Sequence, residues 1–337
     1  MTKTVVLAGA LDTKGQEFAF VKKLIEQAGL QTLVVDFGVM SDPTLTPDIS
    51  REEVAQAGGG DLARLSSGGH KDEAMKTMAT GLAVIVHKLH EDGKLDGILS
   101  MGGSGNTSIA TAGMRTLPVG VPKLMVSTLA GGDVSAFVST KDITMMPSVV
   151  DVSGINSISR VIYTNAAAAI AGMVKTDIPT GEVKPLITAS MFGNTTTAVD
   201  HARGLIEQQG YEVLVFHATG AGGRTMEGLI RDGYIVGSLD ITTTELADYV
   251  CGGVLSAGPE RCLAASQAGI PAVLVPGCVD MANFGGIETV PTQIFSMLRN
   301  SISPEINALG TVMIVLTVGL PLIGAAIARS LATRSGA

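Results

Sequence analysis

Short apolar runs alternate along the chain with longer stretches in which apolar side chains recur every three or four positions. The first run, TVVLAGA (4–10), is continuous and β-branched, which predicts a buried strand. Residues 14–28 set Phe18, Val21, Leu24, Ile25 and Ala28 on one helical face, and QTLVVDFG (31–38) returns to strand. Residues 40–69 are rich in Pro, Gly, Ser and Asp and read as loop with short helical pieces. A helix over 72–89 aligns Ala74, Met78, Leu82, Ile85 and Leu89. A strand at 96–101, a helix from about Asn106, a strand at 122–127 and a helix over 155–174 follow.

The pattern stops at KTDIPTGEVKP (175–185), a polar stretch with Pro and Gly that reads as a linker, and then restarts. Strands LITAS, EVLVFHA, YIVGSLD and 270–275 alternate with helices at 195–209, 223–232, 243–250 and 258–268. Repeated βα units imply mostly parallel sheets with right-handed crossovers. The expected fold is α/β, with two doubly wound parallel-sheet domains over 1–178 and 179–292 and a separate tail over 293–337.

In that tail, residues 306–328 carry no charge and no polar face, and the run is long enough to cross a bilayer. A buried core helix is the competing reading. Pro321 is tolerated in a membrane helix, and Arg299 before the run with Arg329 and Arg334 after it favour a cytoplasmic C-terminus.

Composition narrows the field. The chain has 337 residues, 42 of them Gly, with 46% hydrophobic and only 4% aromatic residues, which suits closely packed helices and tight turns. A net charge of -8 without a basic block excludes a broad nucleic-acid-binding face. Cys251, Cys262 and Cys278 lack zinc spacing, no metal-ligand set is expected, and a reduced cytoplasmic setting suits the body of the chain. The N-terminus runs straight into a strand without a signal-peptide layout.

The candidate chemistry lies in glycine turns at strand ends. In LDGILSMGGSGNTSIA, Gly102, Gly103 and Gly105 free the backbone amides, and Asn106, Thr107 and Ser108 sit where a helix begins. A helix N-terminus favours an anion. No Lys follows the glycines, so the turn is not a P-loop; a phosphate cradle and a merely tight capped turn both remain open. In AGALDTKGQEF, Asp12 or Thr13 is expected to cap a helix, with Lys14 in its first turn. Lys14 then either reaches a bound anion or is solvated, and Asp12 serves a ribose hydroxyl, a Mg²⁺ water or the cap alone. STLAGGDVSAFV brings Thr128 and Asp133 to the same sheet edge.

The second half repeats the device. Gly193, Asn194 and Thr195 open one turn, and His217 precedes Gly220, Gly222, Gly223 and Arg224 in VFHATGAGGRTME. Gly-rich amides beside an Arg suit a phosphate or carboxylate, so Gly193, Asn194, Thr195, Gly222 and Gly223 are the candidate substrate residues. His217, Arg224, Asp240 and Glu245 form the candidate catalytic set, with His217 either a general base or a locally satisfied histidine. Cys278 is a weaker candidate nucleophile, since no activating base accompanies it.

Several blocks in order, among them GALDTKGQE, GGSGNTS, SMFGNTTTAV, VLVFHATGAGGRTME, DITTTELAD and GIPAVLVPGCVDMANFG, make residues 3 to about 290 resemble the UPF0261 family of Tm-1-like ATP-binding proteins. The resemblance implies two Rossmann-like domains, the second incomplete here, with ATP in the first; Mg²⁺ is expected only as an ion arriving with the nucleotide. It implies ATP contacts at Gly102, Gly103, Ser104, Gly105, Asn106 and Thr107, and more distantly at Asp12, Lys14, Thr128 and Asp133. The block IFSMLRNSISPEINALGT and the run after it are similar instead to the C-terminal end of ABC transporter permeases of the spermidine/putrescine type, which points to a fused reading frame. The expectation is an ATP-binding protein acting on a small anionic metabolite at a cleft between its domains and assembling as a homo-oligomer. A non-catalytic ATP-responsive regulator and a membrane-tethered transporter accessory are the alternatives.

Overall fold

The computed structural model describes residues 2–67, 69–179 and 181–283. The first half folds as β1 (Thr4–Gly9), α1 (Leu11–Gln27), β2 (Gln31–Asp36), α2 (Arg51–Ala57), α3 (Leu62–Ser66) and α4 (Lys71–Glu91). It continues with β3 (Gly97–Gly102), α5 (Ser104–Met114), β4 (Lys123–Ser127), α6 (Ser135–Val138), β5 (Thr144–Pro147) and α7 (Ser157–Lys175). The strands form one parallel sheet in the order β2-β1-β3-β4-β5. Successive side chains of a strand point to opposite faces, so a strand buried on both faces is apolar throughout, as β1 is. Val6, Ala8 and Ile98 pack on one face with Met78 and Leu82 of α4 and Met114 of α5. Val5, Leu7 and Leu99 pack on the other with Phe18 of α1 and Tyr163 and Ile170 of α7.

The second half repeats this plan with β6 (Leu186–Met191), a 3-10 turn (Gly193–Thr195), α8 (Thr196–Glu207), β7 (Glu212–His217) and α9 (Ala221–Arg231). It continues with β8 (Ile235–Thr242), α10 (Thr244–Cys251), α11 (Ala264–Gln267) and β9 (Ala272–Gly277). Its parallel sheet has the order β7-β6-β8-β9. Met226 and Ile230 of α9 pack on one face and Val199 of α8 on the other. Both halves are therefore doubly wound. The chain turns one way from β1 to β2 and the other way into β3, so the first sheet has its switch point between β1 and β3; the second has its own between β6 and β8. Ligands of such sheets bind beyond the strand carboxyl ends at these points.

Three expectations change. The helix expected over 258–268 survives only as α11, because Cys262 takes a left-handed conformation (φ 71°) and gives its amide to the Glu227 carboxylate at 2.7 Å. The short β5 extends the first sheet although TMMP has no strand signature. Helix α5 begins at Ser104 and α1 at Leu11, so Asn106, Thr107, Asp12 and Thr13 lie inside their helices and cap nothing. Among the described residues no helix is long and apolar enough to cross a membrane. The run 306–328 lies outside the described residues.

Candidate functional site

At the β1/β3 switch point a cleft of about 580 Å³ opens beyond the sheet. One wall is the first turn of α5, with Gly105 and Asn106; another is Ala10 and Asp12 at the start of α1. The segment after β2 (Phe37 to Met40) and Met75 and Met78 of α4 supply an apolar remainder. The N-cap of α5 is Gly103, which offers no side-chain acceptor, so the first-turn amides stay open toward the cleft. Gly102 has a tight-packing role, since a Cβ there would lie 2.4 Å from Asn106 Cβ.

The other residues divide. Asn106 donates to the Met101 carbonyl at 3.2 Å and still borders the cleft. The Thr107 hydroxyl is buried and shares a hydrogen bond with Ser127 Oγ at 2.7 Å, which ties α5 to β4 and leaves nothing for a ligand. Asp12 Oδ2 accepts from the Met40 and Ser41 amides at 2.9 and 3.4 Å, holding the loop after β2 in place, while Asp12 Oδ1 is buried without a partner among the described residues. Lys14 lies two residues further along the first turn of α1 and does not border the cleft. Thr128 is exposed beside Gly103, with 3.8 Å between its Oγ1 and the position of a Gly103 Cβ. Asp133 accepts from Ser135 N at 2.9 Å, and those hydrogen bonds lower its carboxyl pKa. Among the described residues no group of three His, Cys, Asp or Glu side chains could hold a metal.

Asp36, which the motifs did not single out, ends β2 and ties the start of α1 to the segment after β2. Its Oδ1 accepts from Leu11 N at 3.0 Å and Gly38 N at 2.8 Å. Burial pushes its carboxyl pKa up, and Oδ2 has no partner among the described residues.

In the second domain the glycine turn after the edge strand β7 is filled from within. Glu245 Oε1 accepts the amides of Gly220 at 2.6 Å and Gly223 at 3.0 Å, so the protein's own carboxylate occupies the N-terminus of α9. Glu245 Oε2 takes Arg261 Nε at 2.6 Å. Arg261 also donates to Asp240 through both terminal nitrogens, with Nη2 to Oδ1 at 2.7 Å, and to Glu227 at 3.3 Å. Three buried carboxylates thus surround one buried guanidinium, and their hydrogen bonds hold its proton more tightly than usual. Ser190 Oγ donates to Asp240 Oδ1 at 2.5 Å, and Thr195 Oγ1 lies 2.6 Å from Thr242 Oγ1, closing the β6 and β8 ends together.

The predicted catalytic set is therefore not assembled. Asp240 and Glu245 serve Arg261, and no hydrogen bond among the described residues joins either to His217. His217 is exposed and stacks at 5.3 Å against Phe192. Gly193 and Asn194 remain exposed, whereas a Cβ on Gly222 would meet the His217 carbonyl oxygen at 1.8 Å. Burial and the neighbouring Asp280 carboxylate push the Cys278 thiol up. Arg261 was missed because its partners lie 16, 21 and 34 residues away, beyond any local pattern.

The fold and site define a two-domain parallel-sheet α/β protein with one open glycine turn, after β3, and one self-filled glycine turn, after β7. The chain belongs to the UPF0261 family. Residues 3–179 match the description "Uncharacterised protein family (UPF0261) N-terminal domain" and residues 184–337 the C-terminal domain. The second match runs on through the segment that the sequence set apart as a tail. A UPF0261 protein of Clostridium tetani (strain Massachusetts / E88) is 55% identical over 295 residues, 87% of this chain and 73% of that protein. A UPF0261 protein of Rhizobium meliloti (strain 1021) is 42% identical over 311 residues, 92% of this chain and 76% of that one. The ToMV resistance protein Tm-1(GCR237) of Solanum lycopersicum is 42% identical over 226 residues, 65% of this chain but 30% of its own length.

Proposed function

We propose that this protein binds a nucleotide, ATP with Mg²⁺, in the β1/β3 cleft and couples it to a small anionic metabolite held between the domains. One observation carries the reading: the uncapped first turn of α5 opens into a cleft of about 580 Å³ with an apolar remainder. The open amides suit phosphate oxygens, and Phe37, Met75 and Met78 suit a base. The volume lies within the usual range for small-molecule sites. The fit extends to Mg²⁺ only as an ion held by the nucleotide phosphates, with Asp12 Oδ1 as the nearby carboxylate oxygen free to accept from its water.

The test is calorimetric titration of the full chain with ATP–Mg²⁺, followed by product analysis after long incubation. Micromolar to millimolar binding supports the reading; silence at millimolar nucleotide refutes it. A second reading, ATP-responsive regulation without turnover, draws support from the capture of Asp240 and Glu245 by Arg261. It predicts binding with no product.

A further inference from the structure

A second cavity, of about 590 Å³, lies on the seam between the two domains. The first domain contributes the C-terminal end of α5 and the segment after α6; the second contributes the length of α9 and the loop before α11. Most charges along it are matched. Lys141 pairs with Asp232 at 2.6 Å and Arg231 with Glu260 at 3.4 Å, and the nearest carboxylate to Arg261 on this side is Glu227.

Two guanidinium groups in the lining have no carboxylate partner among the described residues. Arg115 donates to the Phe137 carbonyl at 2.6 Å, and Arg224 to the Ser256 carbonyl at 2.9 Å. Each retains further N–H donors, because a guanidinium carries five. Burial without a counter-charge lowers the Arg115 pKa. Arg224 sits near the start of α9, where a cation opposes the helix dipole, so its own helix gives no reason for it there. The lining thus keeps two uncompensated positive charges in a chain whose net charge is -8. One charge comes from each domain, beside the contacts that join them, Lys141 with Asp232 and Tyr234 Oη to the Val119 carbonyl at 2.7 Å.

We propose that the seam is a ligand site distinct from the nucleotide cleft, in which Arg115 and Arg224 close on one small dianion, a phosphate monoester or a dicarboxylate, and lock the domains together. The site deepens the reading of an anionic metabolite between the domains and is independent of the nucleotide. Planar guanidinium groups suit both oxyanion types, and approach from two domains makes occupancy a clamp.

The experiment titrates the full chain with inorganic phosphate and, separately, with succinate. Since the open turn of α5 also attracts phosphate, each titration is repeated in Gly105→Asp, which blocks that turn. Binding of at least one anion that persists in Gly105→Asp and weakens about tenfold or more in Arg224→Gln is the expected result. Arg224 is exposed, so its variant isolates the charge from folding; Arg115→Gln should reproduce the loss. Absence of millimolar binding by both anions, or unchanged affinity in Arg224→Gln, overturns the proposal. In the unaltered chain, anion binding without ATP binding overturns the nucleotide reading alone, and ATP binding without anion binding overturns the seam site alone.

Discussion

Glu245 Oε1 stands 3.0 Å from the Gly223 amide nitrogen and fills the helix terminus whose glycine pattern advertises a ligand. Its other oxygen meets Arg261, which ties α9, β8 and α10 together through Glu227, Asp240 and Glu245. Arg261→Met should leave three buried carboxylates facing one another and destabilise the second domain by about 3–5 kcal/mol. Arg261→Lys should rescue little, because one ammonium cannot serve both Asp240 and Glu245 in the guanidinium geometry. Thermal unfolding monitored by circular dichroism measures both; an unchanged melting temperature in Arg261→Met would remove the network as a stabilising element.

The two glycine turns of the second domain should respond differently to a methyl group. A Cβ on Gly223 would lie 2.1 Å from Glu245 Oε2 and 2.7 Å from Arg261 Nε, whereas one on Gly193 meets nothing within 4 Å among the described residues. Gly223→Ala should destabilise by about 1–3 kcal/mol, and Gly193→Ala by no more than about 0.5 kcal/mol. Urea midpoints for the pair check the contrast, and equal midpoints would refute it.

In the first domain, stability and binding should separate at Gly105. Gly105→Asp places a carboxylate in the open first turn of α5, which favours the helix by about 0.3–1 kcal/mol while occupying the amides a phosphate needs. The expected outcome is an equal or higher melting temperature with ATP affinity reduced about tenfold or more. A variant that binds ATP like the parent chain would place the nucleotide elsewhere.

Asp36 gives a pH dependence. Burial raises its folded-state pKa, so the native protein holds this proton more tightly than the unfolded chain. The contribution of this group to stability therefore falls as pH rises through the carboxylate range and returns on acidification. Asp36→Asn keeps an oxygen for the Leu11 and Gly38 amides and removes the titration. The variant should gain on the wild type between pH 4 and pH 7 in melting temperature; a wild type that gains on the variant over that interval contradicts the assignment.

The cysteines should label in an order set by their surroundings. Burial and the neighbouring Asp240 carboxylate push the Cys262 thiol up to about 12, whereas Cys251 is exposed. Iodoacetamide at pH 8 followed by peptide mass spectrometry should modify Cys251 in the folded protein and Cys262 only after denaturant is added. Rapid native-state alkylation of Cys262 would show that the Arg261 network opens readily.

By itself the sequence determined the succession of strands and helices, the break near residue 180 and the glycine turns at the strand ends. Those features rest on local physics: continuous apolar runs for strands buried on both faces, helical spacing for α1 and α4, and Pro and Gly where the pattern stops. The same local reasoning failed at Cys262, whose left-handed backbone is held by the distant Glu227, and at the starts of α1 and α5, whose N-cap residues, Ala10 and Gly103, supply no capping side chain. Only the tertiary structure decided which glycine turn is open and which is filled. GGSGNT and TGAGGR look alike as sequence, but one borders a cleft beside Met75 and the other receives a carboxylate from Glu245, 22 residues further along the chain. The difference lies in long-range charge pairing and packing, which no spacing within either turn encodes.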